Sequence, residues 1–190
     1  MHPTGGDEFA WPPQSVSASR SPLESRVILV TDTQIGTPRP AAQTARELIE
    51  ASRYLVLATA DAWGRPWSSP VYFAHIGFTE FFWVSSPDVT HSRNIAVRPE
   101  VSIAIFDSRA AIGAGQGVYV SAVAKLLEDG ETDRGIEAFS RRSVTHGGPE
   151  WASENVRSGT DLRLYSAIAE SHSMLARDGQ PDHRVPVPLT

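Results

Sequence analysis

The sequence predicts a mainly β protein whose strands form an antiparallel barrel. Short apolar segments of strand length recur along the chain, and several are separated by turn sequences short enough for hairpins. Helical segments are few, and the repeated strand–helix–strand order that is typical of a parallel sheet is absent. A length of 190 residues suits one domain with appendages. We therefore expect a single antiparallel β domain with flanking helices.

Composition and charge exclude several classes of function. A net charge of -5 argues against general nucleic-acid binding, because no basic face is available to neutralise a phosphate backbone. The absence of cysteine excludes disulfides, thiolate zinc sites, iron–sulfur clusters and cysteine nucleophiles. No apolar run approaches the length of a membrane helix, and no signal peptide is recognisable at the N-terminus. We expect a cytoplasmic protein with neither a nucleic-acid nor a membrane partner.

The first forty residues differ in composition from the rest of the chain. They are rich in Pro, Gly and Ser, and only residues 27–30 (VILV) form an apolar run. We interpret residues 1–40 as an extended arm whose apolar run adds a strand or lies on a partner subunit. A disordered tail is the alternative interpretation. The β domain is then expected over residues 41–190.

The first half of the domain shows one helix and three strands. A helix begins at Pro40, with Ala45, Leu48 and Ile49 on one face. Residues 54–59 are a continuous apolar run and predict a buried strand. A second strand over residues 66–74 contains two prolines, so it must be irregular or have a free edge. After a turn at residues 75–79, a third strand is expected over residues 80–85.

The second half adds three strands and two longer helical segments. A helix is expected over residues 90–97, followed by a buried strand over residues 101–106. A fifth strand over residues 118–127 alternates, and its predicted inward side chains are Val118, Val120, Ala122, Ala124 and Leu126. A helix over residues 132–142 and a short helix from Glu150 precede a sixth strand over residues 162–170. The chain then ends in an extended tail.

The segment between the third and fourth strands has the features of a phosphate site. It reads SSPDVTHSRNIAVRPE over residues 85–100, where Ser, Pro and Asp end the strand and begin a short helix. The first helical turn combines free backbone N–H groups with the positive end of the helix dipole. Arg93 supplies a full positive charge there, whereas His91 is mostly neutral at pH 7. We expect Arg93 to anchor a phosphate.

The second strand has exposed polar groups of another kind. Residues 67–71 (WSSPV) bring an aromatic ring, two hydroxyls and a proline that interrupts the ladder. The free backbone groups could hydrogen-bond the edge of a flat heterocycle. The alternative is that Trp67 belongs to the core and the serines face solvent.

Other motifs fail on context. The glycines of residues 113–117 precede a strand, whereas a dinucleotide loop must follow one. The histidines have no metal-ligand spacing, and the chain lacks the G-x-S-x-G sequence of a serine hydrolase. His172 is expected to be a surface or turn residue beyond the last strand.

Five stretches in a fixed order resemble the pyridoxamine 5′-phosphate oxidase-like, FMN-binding split-barrel family. They are residues 55–61 (LVLATAD), 64–73 (GRPWSSPVYF), 82–87 (FWVSSP), 91–95 (HSRNI) and 98–107 (RPEVSIAIFD). The resemblance covers about residues 41–175. It implies a six-stranded antiparallel split β-barrel that forms a homodimer, with FMN sites at the dimer interface.

The resemblance also implies which residues bind the cofactor. Those along the isoalloxazine ring would be Trp67, Ser68, Ser69, Pro70 and Val71. Those lining the ribityl chain would be Trp83, Val84, Ser85 and Ser86. Those around the phosphate would be Thr90, His91, Ser92, Arg93 and Asn94. The partner subunit would contribute Gln116 and, less centrally, Ser121.

Departures from the family pattern limit the function that the resemblance implies. The oxidases have a basic pair where this chain has Thr90 and His91, and an Arg…Lys pattern where it has Ser69 and Phe73. Residues 182–185 resemble the Arg-rich tail of these oxidases only weakly. We therefore expect an FMN-dependent oxidoreductase for an unidentified small molecule, and not vitamin B6 oxidation.

Two alternatives remain open at this stage. One is a deazaflavin-dependent reductase, although its acidic coenzyme would need more cations than Arg93 and Arg98. The other is a flavin or haem carrier or sensor without turnover. No catalytic residue is predicted, and the residues considered for lining the open face of the ring are Arg65, Gln116, Trp151 and His172.

Overall fold

The computed structural model describes residues 40–178 and 180–189. The predicted arm of residues 1–40, with its apolar run, lies outside the described residues except for Pro40. The helices are α1 (Ala41–Ala51), α2 (Thr90–Val97) and α3 (Thr132–Thr145). The strands are β1 (Tyr54–Ala60), β2 (Pro66–Tyr72), β3 (Ala74–Ile76), β4 (Glu80–Ser85), β5 (Glu100–Phe106), β6 (Gly117–Leu126), β7 (Arg163–Leu175) and β8 (Arg184–Pro186). No helix within the described ranges is long and apolar enough to cross a membrane.

All eight strands belong to one antiparallel sheet. Its order is β2-β1-β5-β6-β7-β4-β3, and β8 pairs with β7. The six expected strands are present as β1, β2, β4, β5, β6 and β7, and two three-residue strands are added. The predicted mainly β class and split-barrel type are confirmed by this curled antiparallel sheet with flanking helices.

Two apolar clusters lie on opposite faces of the sheet. The larger cluster collects inward side chains such as Leu57, Ile103 and Val120, and α1 covers it with Ala45 and Ile49. Burial of each large aliphatic side chain contributes about 1.5–3 kcal/mol. In the smaller cluster, α3 packs Ile136 and Phe139 against Phe82 and Leu164. Strand β4 is therefore buried on both faces, because its successive side chains enter different clusters.

The second strand is shorter than expected. It ends at Tyr72, and Ala74 begins the separate strand β3, which pairs with β4. Phe73, which lies between the two strands, is fully buried in the core. The prediction of a free edge is confirmed, since β2 is the terminal strand of the sheet and pairs with β1 alone. The turn that was expected over residues 75–79 begins only after Ile76, with Gly77 and Phe78 at positive φ.

Two other strand predictions were wrong in detail. Leu126 was expected to face inward but is 38% exposed, because β6 ends there and Leu127 is the residue that turns into the core. Strands β1 and β5 were predicted to be buried strands, but each buries alternate side chains only. The second face of these strands is half-buried or exposed although it carries apolar residues such as Val56 and Phe106, and a continuous apolar run cannot reveal that difference.

The last strand is much longer than expected. Strand β7 continues through Leu175, and the register with β6 shifts next to Ala169, where Glu170 has no opposite residue. Such a bulge resets the alternation of side chains. As a result His172 lies inside the strand and is buried, which corrects its predicted place in a surface turn. The short helix expected from Glu150 is a 3₁₀ turn at Ser153–Asn155.

Candidate functional site

Three segments that the sequence analysis selected meet at the side chain of His91. Its Nδ1 atom lies 3.1 Å from the hydroxyl of Ser69 on β2, and its Nε2 atom lies 3.0 Å from the hydroxyl of Ser85 on β4. The imidazole is 8% exposed. His91 therefore ties the start of α2 to the middle of β2 and to the end of β4.

Burial sets the charge state of this histidine. Desolvation lowers the pKa of His91 below its ordinary value, so the ring is neutral at pH 7. A neutral ring has one donor and one acceptor nitrogen, and the two serine hydroxyls can satisfy both. His91 is thus a neutral polar bridge and not a cation.

The first turn of α2 has unsatisfied hydrogen-bond donors. Its N-cap residue, Val89, has no side chain that can cap the helix. The N–H of Arg93 bonds to the carbonyl of Val89 at 3.1 Å, and the three N–H groups before it have no acceptor within the described residues. The hydroxyl of Ser92 is buried and also has no partner there. This turn presents donors and a partial positive charge to an anion.

The other polar residues of this turn differ in their exposure and in their hydrogen-bond partners. Arg93 is exposed, and its guanidinium donates to the carbonyl of Asp88 in the preceding loop. Asn94 is buried, and its amide donates to the hydroxyl of Thr59 at 3.0 Å. Asn94 therefore anchors α2 to β1, whereas Arg93 remains at the surface beside the open donors. Thr90, the first residue of the helix, is half-buried.

Strand β2 has the exposed edge that the sequence predicted. Trp67 is half-exposed and donates from its indole N–H to Ser69 at 3.0 Å, and Ser68 faces solvent. Pro70 is exposed and Val71 is buried. The alternative in which Trp67 belongs to the core does not hold.

Strand β4 is divided between the core and the site. Trp83 is fully buried and stacks on Tyr165 at 5.8 Å, so its ring does not line an open groove. Val84 and Ser85 line a cavity, and Ser86 accepts a hydrogen bond from the N–H of Asp88. The structure therefore brings five of the predicted residues together around this cavity and places the Trp83 side chain in the core; the five are Pro70, Val71, Val84, Ser85 and His91.

The remaining candidates are dispersed. Gln116 lies in the loop before β6, and its side-chain oxygen is buried without a partner among residues 40–178 and 180–189. Ser121 is exposed on β6. Arg65 pairs with Asp61 at 2.8 Å in the turn before β2. The ring of His172 bonds to the carbonyl of Phe78 at 2.9 Å, which fixes it inside the sheet. Of these four, none lines the cavity described next.

A cavity of about 580 Å³ extends from this site to the end of α3. At its near end lie Pro70, Val71, Val84, Ser85 and His91. At its far end lie Arg53, Tyr54, Tyr72, Phe139, His146 and Trp151. Of the far residues, the sequence analysis named only Trp151. The Gly147–Gly148–Pro149 break after α3 was the one local signal that a functional loop follows.

The far end holds a second histidine in a polar pair. The hydroxyl of Tyr72 lies 2.9 Å from Nδ1 of His146, the residue that ends α3. Burial lowers the pKa of His146, and the cations Arg142 and Arg53 act in the same direction. Burial also raises the pKa of Tyr72, although Arg142 and Arg53 partly oppose that rise. Both side chains are therefore neutral at pH 7.

No group of three or more His, Cys, Asp or Glu side chains that could hold a metal ion is present within the described ranges.

Comparison with known proteins supports the resemblance. A sequence model described as pyridoxamine 5′-phosphate oxidase matches residues 41–164. No curated protein has significant similarity to the chain.

Solved structures share the fold at low sequence identity. A haem-binding protein from Mycobacterium smegmatis superposes with a TM-score of 0.61 at 22% identity, over 78% of this chain and 59% of that one. HutZ, described as a haem storage protein from Vibrio cholerae, superposes with a TM-score of 0.55 at 24% identity, over 70% of this chain and 91% of that one. A structure described as an F420 reductase superposes with a TM-score of 0.52 at 19% identity, over 68% of this chain and 95% of that one. The chain thus spans only about three fifths of the Mycobacterium smegmatis protein.

Proposed function

Because the chain belongs to the pyridoxamine 5′-phosphate oxidase family, we propose that it is a homodimeric FMN-binding oxidoreductase that acts on a small molecule. The near end of the cavity, where α2, β2 and β4 meet, is the proposed cofactor site. FMN supplies two-electron chemistry when bound, and the protein supplies position and electrostatics.

The single observation that carries this proposal is the first turn of α2. Three N–H groups and the buried hydroxyl of Ser92 have no hydrogen-bond partner among the residues that the structure describes. Buried polar groups in native proteins almost always have partners. A phosphate monoester offers several oxygens at once, and it carries the negative charge that the helix end and Arg93 favour.

The residues around this turn have distinct roles in the proposal. Arg93 exchanges its contact with the carbonyl of Asp88 for the phosphate, which is the stronger acceptor. His91 is neutral and already bonded at both nitrogens, so it holds Ser69 and Ser85 in place. The free edge of β2 lies where the resemblance puts the flavin ring.

A homodimer with the cofactor at its interface is part of the proposal. Exposed tryptophans support it: Trp67 on β2 is 49% exposed, and Trp63 in the preceding turn is 81% exposed. A second copy would cover them and bring Gln116, whose buried oxygen has no partner in the described part of the chain, toward the ring. Light scattering of the FMN-loaded protein should give twice the chain mass, and a monomer that retains FMN would contradict this part.

Haem binding is the second candidate function. Two structural relatives are described as haem-binding and haem storage proteins. In this chain, Nε2 of His146 has no partner among the described residues and Nδ1 is fixed by Tyr72, which is the arrangement of a metal-ligating histidine. A deazaflavin coenzyme receives less support, since its longer acidic tail needs more cations than Arg93 and Arg98.

The absorbance spectrum of the purified protein tests these candidates directly. The proposal predicts flavin bands as isolated or after addition of FMN, and tighter binding of FMN than of riboflavin, which lacks the phosphate. A sharp Soret band after stoichiometric addition of haemin, lost in His146→Ala, would favour the second candidate. Equal affinity for FMN and riboflavin would contradict the phosphate site at α2.

A further inference from the structure

The far end of the cavity has an apolar, aromatic wall. Tyr72 and Phe139 make an edge-to-face contact at 5.4 Å, and Phe139 and Trp151 make another at 5.5 Å. A volume of about 580 Å³ lies within the range of small-molecule sites. This wall is suited to a flat apolar ring, because such a ring would bury apolar surface against it and make edge-to-face contacts with its aromatic side chains.

The charged side chains that line the cavity determine which flat apolar ligands it favours. Its lining contains Arg53 and two histidines but no Asp or Glu. Arg53 is exposed and makes no hydrogen bond or ion pair within the described part of the chain. A neutral or anionic ligand is therefore favoured over a cationic one.

The Tyr72–His146 pair presents a proton donor to this space in either tautomer. If the tyrosine hydroxyl donates to Nδ1, the imidazole carries its own proton on Nε2. If Nδ1 donates to the tyrosine oxygen, the phenolic proton is free instead. In both cases an acceptor on the ligand meets one available hydrogen.

The loop after α3 holds this pair in place. Gly147 adopts a φ of 82°, the N–H of Gly148 bonds to the carbonyl of Ser143 at 2.8 Å, and the Ser143 hydroxyl bonds to Pro149 at 2.7 Å. The N–H of Trp151 is bonded to Ser140 at 2.8 Å. Hydrogen bonds within α3 and the loop after it, two of them made by the hydroxyls of Ser140 and Ser143, thus set His146 and Trp151 without involving the near end of the cavity.

We propose that the far end of the cavity binds a planar aromatic carboxylate, whose ring lies against the aromatic wall and whose carboxylate accepts from the Tyr72–His146 pair and pairs with Arg53. This ligand is the substrate class of the proposed oxidoreductase, and that assignment alone rests on the proposed function. The near end remains for the cofactor, so the two ligands occupy the cavity together.

The experiment measures binding of 2-naphthoate to the full chain, with and without FMN, by calorimetry and tryptophan fluorescence. The matched cation 2-naphthylmethylammonium should bind at least tenfold more weakly. His146→Leu should weaken naphthoate about ten- to a hundredfold, as for a charge-assisted hydrogen bond. Tyr72→Phe should weaken it about two- to tenfold, and Arg53→Gln, at an exposed position, about two- to fivefold.

The controls are His183→Leu, Tyr119→Phe and Arg109→Gln, which lie outside the cavity and should leave naphthoate binding unchanged. Unfolding curves and FMN affinity of each variant report whether the fold and the near end survive. Displacement of FMN by naphthoate, equal binding of the cation, or equal losses in variants and controls would overturn the proposal. Naphthoate binding with the expected variant pattern in a protein that never binds FMN would support the pocket while contradicting the proposed function.

Discussion

His91 and His146 lie at the two ends of the same cavity and are held in different ways. His91 is buried, and both of its nitrogens are engaged by serines on two strands. His146 is half-buried at a helix end, and only Nδ1 is engaged. Two histidines with lowered pKa values in one cavity can therefore have different roles. A ring with both nitrogens hydrogen-bonded stabilises the fold, whereas a ring with one free nitrogen can bind a ligand.

The largest expected difference between the two ends is in stability. His91→Leu removes both hydrogen bonds of the buried ring, leaves the hydroxyl of Ser85 without this partner and Ser69 with Trp67 alone, and should lower the free energy of unfolding by about 2–3 kcal/mol. His146→Leu removes one hydrogen bond at a partly exposed site and should cost about 1 kcal/mol or less. Urea denaturation of both variants measures the difference. Equal losses would show that the two rings are equally structural.

The second prediction concerns the anion-binding character of the near end. Arg93→Ala should weaken FMN about ten- to a hundredfold, because one charge-assisted hydrogen bond to the phosphate is lost. Riboflavin affinity should be almost unchanged. Arg98→Ala is the matched control, since Arg98 is an exposed arginine at the other end of α2. If FMN and riboflavin lose affinity together, Arg93 does not bind the phosphate.

The third prediction uses pH to separate the two histidines. Folding lowers the pKa of both, so the unfolded chain binds more protons between the folded pKa and the unfolded value near 6.5. Stability should therefore be highest above about pH 7 and fall as the pH is lowered through that window. One such proton accounts for at most about 1.4 kcal/mol per pH unit.

The variants His91→Gln and His146→Gln apportion this effect. Because His91 is more completely buried than His146, we expect His91→Gln to remove more of the acid slope, as measured by urea midpoints from pH 5 to 8. His75 and His172 also have pKa values lowered by burial, so part of the slope should remain in either variant. A larger change of the acid slope in His146→Gln than in His91→Gln would contradict the expectation that the more buried histidine has the larger effect on stability.

The smallest expected effect tests how the far end is positioned. Gly147 has a φ of 82°, where an L side chain is strained, so Gly147→Ala should cost about 1 kcal/mol of stability. Gly130→Ala is the control, since Gly130 has no positive φ and an added Cβ would meet nothing within 4 Å. Thermal unfolding of the two variants checks this. A Gly147→Ala variant as stable as wild type would mean that the loop after α3 relaxes easily.

Local pattern was informative wherever one segment carried its own signal. The bounds of α2 and β4 follow from a helix start after Pro and Asp and from a short apolar run, and the structure has both where they were predicted. The free edge of β2 followed from its prolines, since a residue without an N–H is confined within sheets to edge strands, strand starts and bulges. Residues around the first turn of α2 were found because their chemistry lies within a few consecutive positions.

Signals that depend on contacts between distant segments were missed. Tyr72 and His146 are 74 positions apart, and nothing in either neighbourhood indicates that they share a hydrogen bond. The burial of His172 depends on a bulge in β7, and its ring bonds to Phe78 on a turn 94 positions away. Trp83 could not be separated from Val84 by pattern, because β4 packs against both apolar clusters.

Composition, strand alternation and consecutive polar residues are local properties of the chain, and they were sufficient to predict the mainly β class, the family and the donor-rich turn before Arg93. The two hydrogen bonds of His91 to Ser69 and Ser85, the burial of Trp83 and the cavity that joins α2 to the end of α3 become visible only in the folded protein. Those features arise where separate segments pack against one another, and the free energy of burial and pairing there depends on neighbours that the order of residues does not name.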